Sequence, residues 1–228
     1  WLEYVHYPPD STAYRDGEAR LLRLLEIARE VRPEAKWTFY GVPDLLFWVK
    51  DDRGAGTTWS GVSTASREEQ FARARRSQRI IDACDWITPS IYAPYLPGNK
   101  PETMQAQAAY ARAKTEIAIE MAKGKPVLPM VWHRVHDSNK TDGLKRLTIE
   151  QLMDGQIRPA LETGAVGVIW WGADLWMIQT GGLQKRQPAE VPTAVAQDMN
   201  KARSWVIQQH LLMLNQLETA MNAVARTP

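Results

Sequence analysis

Apolar and polar positions along the chain follow two alternating patterns, one typical of helices and one typical of buried strands. Leucines and isoleucines recur every three or four residues over 16–31, which predicts a helix, and Arg32-Pro33 ends the pattern. The run at 36–43 is short, apolar and aromatic, and it is cut by Gly41 and Pro43, so it predicts a buried strand. A helix followed by a strand is therefore the first unit of the pattern.

The same unit repeats towards the carboxyl terminus. Ser66 with Glu69 and Thr148 with Gln151 form predicted capping boxes at helix starts, and Gly124 and Gly164 are predicted to close helices. The predicted strands span 1–5, 86–92, 127–132 and 165–171, and the further predicted helices span 66–83, 102–123, 148–163 and 192–223.

Strands that are apolar throughout and alternate with helices indicate a parallel sheet covered by helices, so the predicted class is α/β. No glycine-rich phosphate loop follows any strand, which favours a barrel over a nucleotide-binding sheet. The prediction is a (β/α) barrel of TIM type, incomplete or distorted because the strands are fewer than the usual eight. Residues 1–190 are predicted to form this barrel domain, which lacks its first strand or strands. Residues 191–228 form a long C-terminal helix that packs on the barrel or starts an appended element.

Composition narrows the function classes. The 228 residues are 44% hydrophobic and 24% charged, which is typical of a globular core, and a net charge of +2 gives no strong field for nucleic acid. No apolar run reaches the roughly 20 residues of a membrane span. Cys84 is the only cysteine and is predicted to be buried, so no internal disulfide is possible. Ten tryptophans against three phenylalanines point to sugar rings as ligands, since indoles stack on them.

Candidate chemistry lies where predicted strands end, because side chains at the carboxyl ends of barrel strands form the active site. Flat aromatic faces for pyranose rings, with a few polar groups for hydroxyls, predict a sugar-binding cleft there. Arg134 has the planar fork that suits a sugar carboxylate. The strand-end residues are Glu3, Tyr4, Tyr40, Asp44, Tyr92, Tyr95, Trp132, His133, Arg134, His136, Trp170, Trp171 and Asp174.

His133 and His136 have a spacing seen among zinc ligands. Neither an HExxH helix nor a third ligand at a recognised spacing accompanies them, so we predict no metal and no other cofactor. A metal-dependent hydrolase using these two histidines is the least favoured hypothesis.

Four motifs occur in the order and at roughly the spacing of the hyaluronidase family of glycoside hydrolases, and the chain resembles that family over 37–174. The resemblance implies a distorted barrel that hydrolyses β-linked N-acetylhexosamine polysaccharide. The acetamido oxygen of the substrate attacks the anomeric carbon, a Glu protonates the leaving oxygen, and an Asp two residues earlier orients the acetamido group. The motifs are Tyr40-Gly41-Val42-Pro43-Asp44, Pro89-Ser90-Ile91-Tyr92, Pro126-Val127-Leu128-Pro129, and the stretch from Leu147-Thr148-Ile149-Glu150-Gln151-Leu152 to Ala165-Val166-Gly167-Val168-Ile169-Trp170-Trp171-Gly172.

The family's carboxylate pair is where this sequence departs. The matching place holds Trp1-Leu2-Glu3. Either Glu3 is the acid and Trp1 replaces its Asp partner, or the Asp precedes Trp1 and Leu2 or Glu3 stands at the Glu position. The resemblance further implies that Tyr92 supports the acetamido group, that the partner is a polysaccharide, and that the protein is secreted or periplasmic.

Two hypotheses follow, a retaining, endo-acting glycoside hydrolase of the endo-β-N-acetylhexosaminidase type and a glycan-binding barrel that does not cut. The first assigns catalysis to Glu3 and Tyr92. Both use the same cleft, whose predicted substrate-binding residues are Tyr40, Asp44, Trp132, His133, Arg134, Trp171 and Asp174.

Overall fold

Four extended segments lie side by side in parallel and in chain order. The computed structural model describes residues 3–45, 49–50, 56–57, 59–96, 101–139, 141–187 and 189–225. Tyr40, at the end of the first segment, pairs in parallel with Thr88 of the second, and Ser90 of the second pairs with Met130. The described strands are β1 (Val49–Lys50) and β2 (Gly56–Thr57), which form an antiparallel pair, and β3 (Met130–Trp132) and β4 (Ile169–Trp171), which are parallel.

Helices separate these segments along the chain, as expected for an α/β protein. Short 3-10 helices occur at Glu3–His6 and Trp59–Gly61, and a π-helical turn at Met153–Ile157 joins α5 to α6. The described α-helices are α1 (Thr12–Val31), α2 (Thr64–Arg75), α3 (Gln78–Ala83), α4 (Pro101–Ala122), α5 (Ile149–Leu152), α6 (Arg158–Thr163), α7 (Asp174–Gln179), α8 (Gly182–Arg186), α9 (Thr193–Ala196) and α10 (Met199–Ala225).

The register of β3 and β4 determines which side chains share a face. Trp132 pairs with Trp171, and Val131 pairs with Trp170. Successive side chains of a strand point to opposite faces, so the two adjacent indoles of β4 separate. Trp132 and Trp171 line one cavity, whereas Val131 and Trp170 line an apolar groove beside α10.

The C-terminal helix α10 packs on the parallel segments. Its residue Val206 belongs to the same buried cluster as Trp132, and Met213 and Leu217 belong to the cluster of Val131. Helices α1, α3 and α4 cover the amino ends of the parallel segments, where Ile87 is fully buried among their apolar side chains. None of the described helices combines the length and the apolar character needed to cross a bilayer.

Several local predictions are confirmed. Thr148 and Gln151 form the predicted capping box at the start of α5. Gly124 and Gly164 follow α4 and α6 with φ of +88° and +111°, the left-handed conformation that closes a helix and favours glycine.

The predicted strand at 1–5 is wrong over its described part. Glu3–His6 is a 3-10 helix, and Tyr4 lies against Gly17 of α1 so closely that a Cβ at Gly17 would be 2.4 Å from the Tyr4 Cβ. The conformation of this segment is therefore determined by its packing on α1 and not by its aromatic pattern. The sequence left open whether Trp1 replaces the family's Asp and whether Leu2 stands at the position of its Glu. Both residues lie outside the described ones.

The predicted helix at 66–83 also differs. It starts earlier, because the Ser63 side chain accepts a hydrogen bond from the Ser66 amide, and Ser63 rather than Ser66 is the N-cap. It is also two helices, α2 and α3, separated by residues 76 and 77.

The parallel arrangement agrees with the predicted α/β class, but a closed barrel is not observed. Over the described ranges, no backbone pairing joins β4 to the segment that ends at Tyr40. The extended segments also pair over few residues. Pro89, Pro126 and Pro129 lie within them, and a proline has no amide hydrogen for a ladder bond.

Candidate functional site

Aromatic side chains from all four parallel segments line one cavity at their carboxyl ends. Tyr40 and Tyr92 come from the first two segments, Trp132 ends β3, and Trp171 ends β4. The cavity has a volume of about 350 Å³. This volume is within the usual range for small-ligand sites, which are mostly apolar with a few polar groups. The structure therefore brings together four of the residues that the sequence predicted for the cleft.

The rings form a continuous wall with an inner part and a rim. Tyr92 is in the middle, with ring centroids 5.8 Å from Tyr40 and 5.5 Å from Trp132. Tyr92 and Trp132 are buried, with 7% and 3% of their surface exposed. Tyr40 is 40% exposed and Trp171 is 46% exposed, so both rings are accessible to a ligand from outside.

Two hydrogen-bond donors of the inner wall make no hydrogen bond of ordinary geometry to the described residues, although the Tyr92 hydroxyl is directed at that of Tyr40. They are the Tyr92 hydroxyl and the Trp132 indole Nε1. The Tyr40 hydroxyl, in contrast, donates to Ser90 Oγ at 2.9 Å. Burial raises the pKa of Tyr92, with a further contribution from Tyr40, so its hydroxyl stays protonated. A buried donor without an acceptor costs about 1–3 kcal/mol, and a ligand oxygen would remove that cost.

A buried ionic cluster lies behind this wall. The Arg134 guanidinium donates to both carboxylate oxygens of Asp174 at 2.8 Å, and it also binds Glu190 and the Leu144 carbonyl. Burial alone would raise the pKa of Asp174, but hydrogen bonds from Arg134 and His133 lower it well below its ordinary value. Asp174 is therefore ionised, and its charge is fully paired inside the protein.

These contacts correct three of the predicted substrate-binding residues. His133, Arg134 and Asp174 are each fully buried, and none of them lines the aromatic cavity. The guanidinium of Arg134 is occupied by Asp174 and Glu190, so it does not present its fork to a sugar carboxylate. For His133 the strand period explains the difference, because His133 follows Trp132 and its side chain points to the other side of the segment.

His133, Asp174 and His210 form a group whose ligand atoms all lie within 4.8 Å of one another. The Trp170 indole donates to His133 Nδ1 at 2.9 Å, so the hydrogen of the neutral imidazole is on Nε2, which lies 3.2 Å from Asp174. Burial lowers the pKa of His133, which favours this neutral form. The protonated Nε2 has no lone pair for a metal, and Arg134 already neutralises the carboxylate. The donor set therefore does not fit a metal ion.

His136 is not part of that group. Its Nδ1 accepts a hydrogen bond from the Ser138 amide, and its ring lies against Tyr92 and Trp132 at the aromatic cavity. The two histidines that the sequence placed at zinc spacing therefore point into different parts of the protein.

The predicted acid, Glu3, and the predicted binding residue Asp44 do not line the aromatic cavity. Glu3 is exposed and lines a separate surface cavity, together with Tyr4 and Tyr7. Asp44 lies 3.3 Å from His6 Nε2. The described residues thus bring neither side chain to the aromatic rings.

The sequence did not predict five of the residues that line the cavity, and two of them, Trp176 and Asp137, carry an aromatic ring or a charge. Trp176 of α7 is 62% exposed and lines the rim beside Trp171, and Asp137 is a carboxylate in the wall next to His136. Both follow a predicted strand end by a few residues, so extending the search into the following loop and helix would have found them. His210 and Glu190 had no such signal, because only the fold brings them near Arg134 and Asp174.

Solved structures similar to this chain include two of bee venom hyaluronidase. A monoclinic crystal structure of that enzyme matches with a TM-score of 0.53 and 19% identity, over 82% of this chain and 59% of the enzyme. The structure of its complex with a hyaluronic acid tetramer matches with a TM-score of 0.53 and 20% identity, over 79% of this chain and 52% of the enzyme. No sequence family and no curated protein matches. The chain therefore has a hyaluronidase-like fold and spans about half to three fifths of the length of these structures.

Proposed function

We propose that this protein binds a polysaccharide of β-linked N-acetylhexosamine in the aromatic cavity, at the carboxyl ends of the parallel segments of a hyaluronidase-like fold. The observation that carries the proposal is the continuous wall of Tyr40, Tyr92, Trp132 and Trp171, contributed by four successive parallel segments. Aromatic faces of this kind supply large apolar contact area for the flat faces of pyranose rings.

The inner wall supports an amino sugar in particular. An acetamido group carries a carbonyl oxygen, which is a strong acceptor. Trp132 Nε1 is a donor without a partner among the described residues, and the Tyr92 hydroxyl has only the neighbouring Tyr40 hydroxyl, without good geometry. The exposed rings of Tyr40 and Trp171 then contact the sugar from the rim. Binding of one sugar unit would give both donors a well-aligned acceptor.

Hydrolysis of the same polysaccharide is the second candidate function, and the fold shared with bee venom hyaluronidase favours it. In the substrate-assisted scheme the acetamido oxygen is the nucleophile, and a carboxylic acid must protonate the leaving oxygen. Glu3 lines a different cavity, so hydrolysis would need another acid. For either function we propose the secreted or periplasmic location that the family resemblance implies.

Replacing Tyr92 by Phe tests the binding proposal. We expect the affinity for a β-1,4-linked N-acetylglucosamine tetrasaccharide to fall by about two- to tenfold, the value of one hydrogen bond to a neutral group. We expect the stability to remain nearly unchanged, because the lost hydroxyl makes no hydrogen bond of ordinary geometry in the free protein. Calorimetric titration and urea unfolding measure the two effects.

Tyr14→Phe is the matched control. The Tyr14 hydroxyl donates to the Arg76 carbonyl at 2.7 Å, far along the chain from the cavity residues, so its loss should reduce stability and leave the affinity unchanged. If Tyr92→Phe also lowered stability and left the affinity unchanged, the Tyr92 hydroxyl would be a structural group and the proposal would lose its main polar contact.

Release of reducing ends from N-acetylhexosamine polymers, compared between the parent and Glu3→Gln, separates the two candidate functions. We expect both proteins to retain the polymer equally, because Glu3 does not line the aromatic cavity. Cutting by the parent alone would restore Glu3 as the acid. Cutting by both proteins would establish hydrolysis with a different acid, and retention without cutting by either would favour the binding protein.

A further inference from the structure

The charged side chain that lines the aromatic cavity, within the part of the chain that the structure describes, is a carboxylate. Among the described residues that line it, Asp137 is the only carboxylate, and none is a lysine or an arginine. The side chain of Asp137 is 60% exposed. His136 is the remaining titratable group of the wall apart from the two tyrosines, and burial lowers its pKa, which favours the neutral imidazole at neutral pH. The wall is therefore neutral except for one negative charge.

Two described guanidinium groups close to this wall are bound to other groups of the protein. Arg134 is fully buried and binds Asp174 and Glu190. Arg186 donates to the backbone carbonyls of Asp137 and Asn139, behind the loop that carries the carboxylate. Carboxylates neutralise Arg134 and backbone carbonyls occupy the donors of Arg186, so neither guanidinium presents its fork to a sugar carboxylate in the cavity.

The charge of Lys114 also acts on His136. Lys114 is almost completely buried, and its ammonium donates to the Leu45 carbonyl and the Tyr110 hydroxyl. Burial lowers its pKa to about 8, so its charge is also weakened as the pH rises above neutrality. Lys114 does not line the cavity and makes no contact there that a ligand carboxylate would replace.

The charge of Asp137 acts on Tyr40, one of the exposed rings that would contact the ligand. Burial chiefly, and the charge of Asp137 in addition, raise the pKa of Tyr40. The same charge would repel a carboxylate on a bound sugar, and a partly desolvated carboxylate without a cationic partner is costly.

We infer that the cavity selects an uncharged chain of β-linked N-acetylhexosamine and discriminates against a chain that alternates amino sugars with uronic acids. This inference rests on the proposed function, because it specifies the charge class of the same ligand. The apolar contacts that both chains share provide affinity, and specificity arises from a repulsive charge that only the uronate chain encounters.

Calorimetric titration with two tetrasaccharides at low and high salt tests the inference. The β-1,4-linked N-acetylglucosamine tetrasaccharide should bind at least about tenfold more tightly than the hyaluronan tetrasaccharide, and its affinity should not depend on salt. Equal or tighter binding of hyaluronan, weakened by salt, would overturn the inference and leave glycan binding intact. Binding of neither would remove the proposed function itself.

Asp137→Asn identifies the source of the discrimination. The ratio of hyaluronan affinity to N-acetylglucosamine affinity should rise about threefold or more when the charge is removed, most at low salt. Asp10→Asn is the control, since Asp10 is an exposed carboxylate that does not line the cavity, and it should leave the ratio unchanged. An unchanged ratio in Asp137→Asn, with a native circular dichroism spectrum, would contradict the role of Asp137.

Discussion

Asp174→Asn is expected to lower the free energy of unfolding by about 3–5 kcal/mol, the usual cost of removing one partner of a buried ion pair. The carboxylate is fully buried and accepts two hydrogen bonds from Arg134 and one from His133. An amide cannot balance the guanidinium charge, so Arg134 would depend on Glu190 alone. Urea unfolding followed by tryptophan fluorescence measures the loss.

The control for this loss is Asp82→Asn. Asp82 forms an exposed pair with Lys123, and a pair of this kind contributes at most about 1 kcal/mol. If the two variants lost the same small amount, the cluster around Asp174 would not be a main source of stability.

The loss in Asp174→Asn should also depend on pH. The pKa of Asp174 is lowered in the folded protein, so its contribution is fully present above the unfolded value of about 3.9 and is lost as the pH falls below it. The difference in stability between parent and variant should therefore narrow in acid. Burial lowers the pKa of His133, so the parent should begin to lose stability already below about pH 6.5, where the unfolded chain takes up a proton first. If the free energies of unfolding of parent and variant changed in parallel with pH, the predicted contribution of Asp174 would be contradicted.

Trp171→Ala is expected to reduce the affinity for the N-acetylglucosamine tetrasaccharide by about thirtyfold, which corresponds to about 2 kcal/mol and is typical of an aromatic hot spot. The indole is half exposed on the rim of the cavity, so its removal takes away contact area for the ligand and little of the core. Calorimetric titration of both proteins gives the ratio directly.

Trp86→Ala is the matched control for Trp171→Ala. Trp86 is 38% exposed, comparable with Trp171, but it precedes the second parallel segment and lies at the amino end of the array. Its loss should leave the affinity unchanged. A similar weakening in both variants would mean that sugar binding depends on exposed indoles in general and not on the aromatic cavity.

Local signals in the sequence predicted the order of elements well. A capping box such as Thr148 with Gln151 and a glycine such as Gly164 act within a few residues of the chain, so they can be identified without knowing the fold. The cavity was also accessible from the sequence, since parallel strands place their carboxyl ends at one edge and Tyr40 and Trp171 are at such ends.

Contacts between distant parts of the chain were not accessible in this way. The segment at Glu3 carries the aromatic pattern of a strand, but its packing against Gly17 makes it helical and puts Glu3 at a different cavity. Arg134 is of a type that binds sugar carboxylates, yet its partners Asp174 and Glu190 lie 40 and 56 residues away along the chain. Residue type indicates what a side chain is able to bind, and the fold decides which partner reaches it first.

The separation of Trp170 from Trp171 has a consequence for how this region tolerates change. One indole contacts the groove beside α10 and the other lines the cavity, only because the strand period assigns them to opposite faces. A single inserted or deleted residue within β4 would exchange the two positions. We therefore expect β4 to tolerate substitutions better than insertions or deletions. Homologous chains should differ in the residues of this strand and keep their number.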